Sequence, residues 1–248
     1  MRLKTALVAL SLSLAFLLPQ AGFAGTTTLT LTGVGGQSTD GVYVYPYEFT
    51  VATSGVGSAS DVFLSCLSYN REIYMNESWQ VDVYNVNSTF LPQAGAAGLT
   101  ETEFLEDAYL YNEYAAAETA SNSQLISNIQ FAIWYIMDPT DVGGLSGYTT
   151  SGTGNSASLV AAAVANYDTT ASLTADQNVD VFIPIPGTQN PSTDGLPQIF
   201  MGTSTGLPLT PTAPVPEPTP LFLLGTGMMG MVFMMRHKLA KSEMHLSK

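Results

Sequence analysis

The chain has 248 residues, of which 46% are hydrophobic, and a formal net charge of −13 at pH 7. Of its seven Lys and Arg residues, Arg2 and Lys4 lie at the start and Arg236, Lys238, Lys241 and Lys248 at the end, so residues 25–214 set Arg71 alone against eighteen acids, a net charge of about −17. Nucleic acid and anionic lipid are therefore poor partners for that segment, and with both histidines, His237 and His245, also in the tail it cannot host a Ser-His-Asp triad, a Cys-His pair or a His-ligated zinc.

The first element is an apolar segment, residues 5–18, preceded by Arg2 and Lys4 and followed by the small residues Ala21, Gly22 and Ala24. This is the pattern of a secretory signal peptide, 1–24, cleaved after Ala24 or, alternatively, after Ala21. The segment from 25 to 202 is long enough to bury a core as one α+β ectodomain. Its expected architecture places antiparallel strands at both ends and a helical insertion in the middle.

Threonine and leucine alternate over residues 27–32, which predicts a half-buried strand closed by Gly33, Gly35 and Gly36. A second strand is expected over 42–51, with Tyr43, Tyr45, Tyr47 and Phe49 on one face as aromatic core or as a sugar-facing surface. Pro46 lacks an N–H, so that strand belongs at an edge or a bulge. Residues 62–67 read as a short buried strand, and 78–87, with Trp79, Val81, Val83 and Val86, as another.

The middle of the segment reads as helix. Thr100 and Glu103 form a capping box, in which hydroxyl and carboxylate satisfy the first-turn N–H groups. Phe104, Leu105, Ala108, Tyr111 and Ala115 follow at helical spacing. A second helix begins at Asn122 or Ser123, carries Ile126, Ile129, Ile133 and Met137 on one stripe, and stops at Pro139. Residues 156–167 predict an Ala-rich third helix. Strands return over 178–185, where Val179, Val181 and Ile183 alternate, and over 198–201. Ten of the fourteen prolines lie between Pro184 and Pro220, so 203–214 is expected to be a stiff spacer.

The tail has three parts in order: Pro216-Glu217-Pro218, an apolar run over 221–235, and the basic cluster Arg236, His237, Lys238 and Lys241. Residues 215–241 in this order resemble the PEP-CTERM sorting signal of Gram-negative surface proteins. The resemblance implies recognition by an exosortase-type processing enzyme, transient or lasting insertion into the inner membrane, and delivery to the cell surface or the extracellular space. Fifteen helical residues would span roughly 22 Å, short of the ~30 Å hydrocarbon core. That length suits a processed signal, with a single-span anchor as the alternative. The basic residues, and the remainder 242–248, would stay cytoplasmic.

One pair of residues points to unusual chemistry. Cys66, the single cysteine, lies on a predicted strand, and Gln130, Ala132, Ile133 and Trp134 form a Gln-x-Ala-Ile-Trp sequence on the second helix. This resembles the thioester domains of bacterial surface adhesins. The resemblance implies a bond from the Cys66 sulfur to the Gln130 side-chain carbon, opened later by an amine on a partner surface protein. Leu67-Ser68 departs from that family's residues after the cysteine. Two other readings of Cys66 stand beside it: a small buried hydrophobe and an intermolecular disulfide.

Acidic groups supply the remaining candidates. Asp138 and Asp141, and the stretch from Asp176 to Asp180, offer oxygen ligands of the kind calcium takes, though neither has EF-hand spacing. Glu101, Glu103, Glu106, Asp107 and Glu113 read as a solvated helix face rather than as glycosidase acids. The expectation is a non-enzymatic surface or matrix protein with no obligatory cofactor, engaged in adhesion or assembly. Exopolysaccharide and amine-bearing surface proteins are its candidate partners, with a covalent adhesin and a carboxylate-based glycan-acting enzyme as alternatives.

Overall fold

The computed structural model describes residues 26–36, 38–87, 99–191, 196–203 and 205–209. The predicted signal peptide, the tail with its apolar run and half of the spacer, 204 and 210–214, lie outside the described residues. Along the chain run β1 (Thr27–Val34), β2 (Ser38–Thr39), β3 (Val42–Tyr43), β4 (Tyr47–Thr53), β5 (Gly57–Cys66) and β6 (Ser78–Asn85). Then come α1 (Glu101–Thr119), α2 (Ser123–Met137), α3 (Pro139–Val142), α4 (Ser156–Asn166) and α5 (Thr170–Ala175), a 3-10 turn (Asp176–Asn178), β7 (Val179–Pro184) and β8 (Phe200–Thr203). The mixed α+β class and the antiparallel strands on either side of a helical segment are as the sequence leads one to expect.

The barrel that these strands build was not legible beforehand. Six strands close in the order β1, β4, β5, β8, β7, β6, every pair antiparallel. The first strand joins two neighbours: Leu29 stands opposite Val51 of β4 and opposite Trp79 of β6. Period-2 alternation sends Leu29 and Leu31, Phe49 and Val51, Val62 and Leu64, Trp79 and Val81, Phe182 and Phe200 into one buried cluster. Phe200 meets Phe49 edge-on at 4.7 Å, and Phe49 in turn meets Trp79 at 5.9 Å.

A second cluster lies between the barrel and the helices. It joins Val179, Val181, Ile183 and Met201 to Phe104, Leu110, Tyr114, Ile129 and Ile133. Helix α2 serves both clusters, giving Ile126, Ile129, Ala132 and Ile133 to this one and Phe131 and Trp134 to the barrel's. Its boundaries follow the local signals: Asn122 caps Leu125 N–H, and the helix ends at Met137 before Pro139. Thr100 and Glu103 form the capping box of α1 as expected.

Three expectations change. The strand expected over 42–51 is broken at Pro46: β3 pairs with β2 in a two-stranded hairpin, and only β4 enters the barrel. The four aromatics therefore part company. Tyr47 and Phe49 point inward, Tyr43 is exposed, and Tyr45 stacks on Tyr114 at 4.0 Å in the helical cluster. β7 is buried at all six positions rather than on one face, because the barrel interior covers one side and the helices the other. The loop expected over 138–144 contains α3, and α5 is a further short helix.

The barrel interior is full. A Cβ added at Gly202 would lie 2.2 Å from Leu64 Cδ2, and Leu64 is wholly buried. Gly202→Ala is accordingly expected to destabilise the protein by about 1–3 kcal/mol, read as a lower urea midpoint with an unchanged slope.

Candidate functional site

The junction of β5, α1 and α2 is held by one carboxamide. Gln130 has no exposed surface; its Nε2 donates to Cys66 O at 2.7 Å, and its Oε1 accepts from Tyr114 Oη at 3.2 Å and from Ser65 Oγ at 3.4 Å. The strand's last carbonyl, unmatched in the sheet, thus finds its donor on a helix 64 residues further on. Cys66 and Gln130 are brought together, through the Cys66 carbonyl and the Gln130 amide. The Cys66 S–H turns to Ser68 O at 3.5 Å, and burial pushes the thiol up to about 12. A neutral, wholly buried thiol is a poor nucleophile and out of reach of an amine. The motif's Ala132 and Ile133 pack in the helical cluster and Trp134 in the barrel's.

At the end of the barrel where β1 finishes, β4 begins and β5 runs into the 67–77 loop, a cleft of about 600 Å³ opens. It falls in the range of small-molecule sites. Leu31, Val34, Ile73 and Met75 give it an apolar floor and wall, Tyr43, Tyr47, Tyr69, Tyr74 and Trp134 add aromatic rings, and Asn70, Arg71, Glu72 and Gln198 add polar groups. Trp134 is thus the residue the motif and the cleft share, and Tyr43 and Tyr47 are the two tyrosines of the broken strand that reach it.

The loop is tied down before any ligand arrives. Arg71 donates through Nη1 to Pro197 O at 3.1 Å, Gln198 Nε2 donates to Arg71 O, Ser68 Oγ accepts from Ile199 N at 3.2 Å, and Asn76 N donates to Leu31 O at 2.9 Å. Buried Glu77 accepts from Tyr74 N at 2.9 Å and from Gln189 Nε2 at 2.8 Å, which fixes the turn carrying Tyr74. On the opposite wall, the carboxylate of Asp40 in the β2–β3 turn accepts from Ser146 Oγ and Gly147 N, anchoring the hairpin that presents Tyr43. Arg71, Tyr69, Tyr74 and Gln198 had not been singled out as site residues. The one signal that could have found them is the charge count, which leaves Arg71 as the sole cation of its segment.

The acidic candidates are used otherwise. Asp138 Oδ1 caps α3 by accepting from Asp141 N at 3.1 Å, and its Oδ2 accepts from Asn70 Nδ2 at 3.3 Å. Among the described residues no group of three or more His, Cys, Asp or Glu is placed to hold a metal ion. Among the described residues of the cleft's lining, Glu72 is the one acid, and it accepts from Tyr74 Oη at 2.8 Å. The solvated acidic face expected on α1 is corrected in two places: Glu106 is buried, and Asp107 is wholly buried with both oxygens unpartnered. Burial first, then the charges of Glu106 and Glu103, hold the Asp107 carboxyl well above its ordinary range. Burial also raises Asp176, to about 6, against a 2.6 Å bond from Asn112 Nδ2.

Comparison with known proteins assigns the end of the chain. Residues 214–238 match the model of the PEP-CTERM protein-sorting motif. The tail is a PEP-CTERM sorting motif. No curated protein and no solved structure matches the chain. A PEP-CTERM signal implies export, membrane insertion and sorting by exosortase to the surface or the extracellular space, and the barrel and its cleft are to be read as parts of such a protein. The matched residues lie outside the described ones, and among the described residues no helix is long and apolar enough to cross a membrane.

Two outcomes follow for this chain. Gln130→Ala orphans Cys66 O and leaves the Tyr114 and Ser65 hydroxyls only each other, at 3.5 Å, and is expected to cost about 2–4 kcal/mol in denaturant unfolding. For Asp107, the folded state keeps its proton to a higher pH than the unfolded state does. Stability is therefore lost as pH rises from the ordinary aspartate value, 3.8, through the raised one. Asp107→Asn should raise the melting temperature at pH 7 by a few degrees and lose that advantage below about pH 4.

Proposed function

We propose that the exported domain is a non-catalytic binding module of the cell surface or extracellular matrix, which holds a glycan of the exopolysaccharide in the cleft at the barrel end. The observation that carries this reading is the cleft itself: tyrosine rings and hydrogen-bonding groups set on a loop already ordered by its own bonds. Rigid amphipathic rings give contact area at little entropic cost, and they suit the alternating apolar faces and hydroxyl edges of sugars. Tyr43 and Tyr74 are 52% and 53% exposed, so their rings are available at the rim. The scarcity of acids in the lining favours binding over hydrolysis, and the buried neutral thiol favours a non-covalent module over a covalent adhesin.

Full-length protein in mild detergent is mixed with the extracellular polysaccharide of the producing cells and sedimented with it. Retention is expected, with at least a fivefold loss in the doubly substituted Tyr43→Ala, Tyr74→Ala protein; equal retention of both, or none, refutes the reading. Intact mass before and after methylamine treatment checks the chemistry. The expected mass is that of the sequence, unchanged by the amine, and a mass lower by one ammonia would establish the thioester instead.

A further inference from the structure

We propose that the cleft is specific for an acidic sugar, a uronic acid unit of a polysaccharide, whose carboxylate sits on the Arg71 guanidinium. This rests on the reading of the cleft as a glycan site and names its ligand class. Three observations point to it. The first is what Arg71 lacks. It is the one cation in a segment with eighteen acids, yet among the described residues it pairs with no acid and donates only to a backbone carbonyl, Pro197 O. An arginine kept for fold stability in so acidic a domain has carboxylates in abundance; this one lines the cleft with the rest of its donor fork unused.

The second observation is a buried acceptor beside it. Gln198 is 8% exposed, lines the same cleft, and has an Oε1 with no partner, although its Nε2 is fixed on Arg71 O. A buried carbonyl oxygen left unsatisfied is costly, and a ligand hydroxyl removes that cost. Donor fork and acceptor, linked through one residue's backbone, match a carboxylate and a hydroxyl borne on the same sugar ring.

The third is the ring-bearing rim of Tyr43, Tyr69 and Tyr74, which offers flat surfaces to a pyranose face. A neutral sugar would use the tyrosines and leave the guanidinium unmatched. A densely charged polyanion would be repelled by the domain's net charge, whereas a single carboxylate at contact distance feels Arg71 more than acids beyond a screening length of about 8 Å. Among the described lining residues Glu72 is the one acid, and it opposes the ligand's charge.

The test is calorimetric titration of the full-length protein in detergent with trisaccharides that each carry a single glucuronate, galacturonate or mannuronate unit, each beside its neutral hexose counterpart. At least one uronate should bind tenfold or more tightly than its counterpart. Arg71→Gln should erase that preference, and Glu72→Gln should strengthen uronate binding several-fold. Equal binding of acidic and neutral sugars, or a preference that survives in Arg71→Gln, overturns the proposal. Should Arg71→Gln unfold, as its melting curve would show, Glu72→Gln decides alone, and an unchanged uronate affinity counts against the proposal. If no trisaccharide binds, the specificity falls while retention on the native polysaccharide still stands or falls by its own experiment.

Discussion

The structure depends on the satisfaction of one strand-end carbonyl. β5 leaves the sheet at Cys66, and the carbonyl it exposes is taken by Gln130 on α2, whose other amide atom gathers hydroxyls from β5 and α1. An amide is suited to this position because it donates and accepts in one plane, and in a wholly buried setting every one of those bonds is needed. Around it the two hydrophobic clusters are registered: Ile129 and Ile133 face the helices while Phe131 and Trp134 face the barrel. Past Cys66 the chain stays bonded to Ile199 through Leu67 N and Ser68 Oγ before the 67–77 loop forms one wall of the cleft.

This explains why a sequence motif that suggests covalent chemistry is compatible with a purely structural role. The Gln-x-Ala-Ile-Trp pattern lists what a helix needs to lie across a barrel: a polar group for the open strand end, a small residue for close approach, an aliphatic for one core and an indole for the other. The sulfur of Cys66 joins the barrel's apolar cluster while its carbonyl serves the junction. Burial pushes the thiol up to about 12, which disfavours the thiolate that such chemistry uses.

Elements with strong local signals were legible in the sequence. The Asn122 cap, the capping box at Thr100 and the Pro139 stop mark the helices to within a residue, because capping is a contact between near neighbours. Barrel closure was not legible, since it rests on pairing between Leu29 and Trp79 or Cys66 and Phe200, which no local pattern encodes. The alternation in β7 suggested one buried face because alternation reports side-chain size and polarity, not what covers the second face. The cleft was half visible: Tyr43, Tyr47 and Trp134 stood out, while Arg71 and Gln198 meet only through a bond spanning 127 residues. Asp107 gave no warning, for its neighbours Glu103 and Glu106 make the stretch look like an ordinary wet face.

The order of strands in the barrel has a bearing on how the protein reaches its destination. A chain exported from its first residue onward presents β1, β4, β5 and β6 early, yet the ring closes only when β8 fits between β5 and β7. β8 ends at Thr203 and the sorting motif begins at residue 214. Until those final strands have passed the membrane, β5 and β6 keep open edges able to pair with other chains. Only residues 204–213 lie between the strand that closes the ring and the sorting motif.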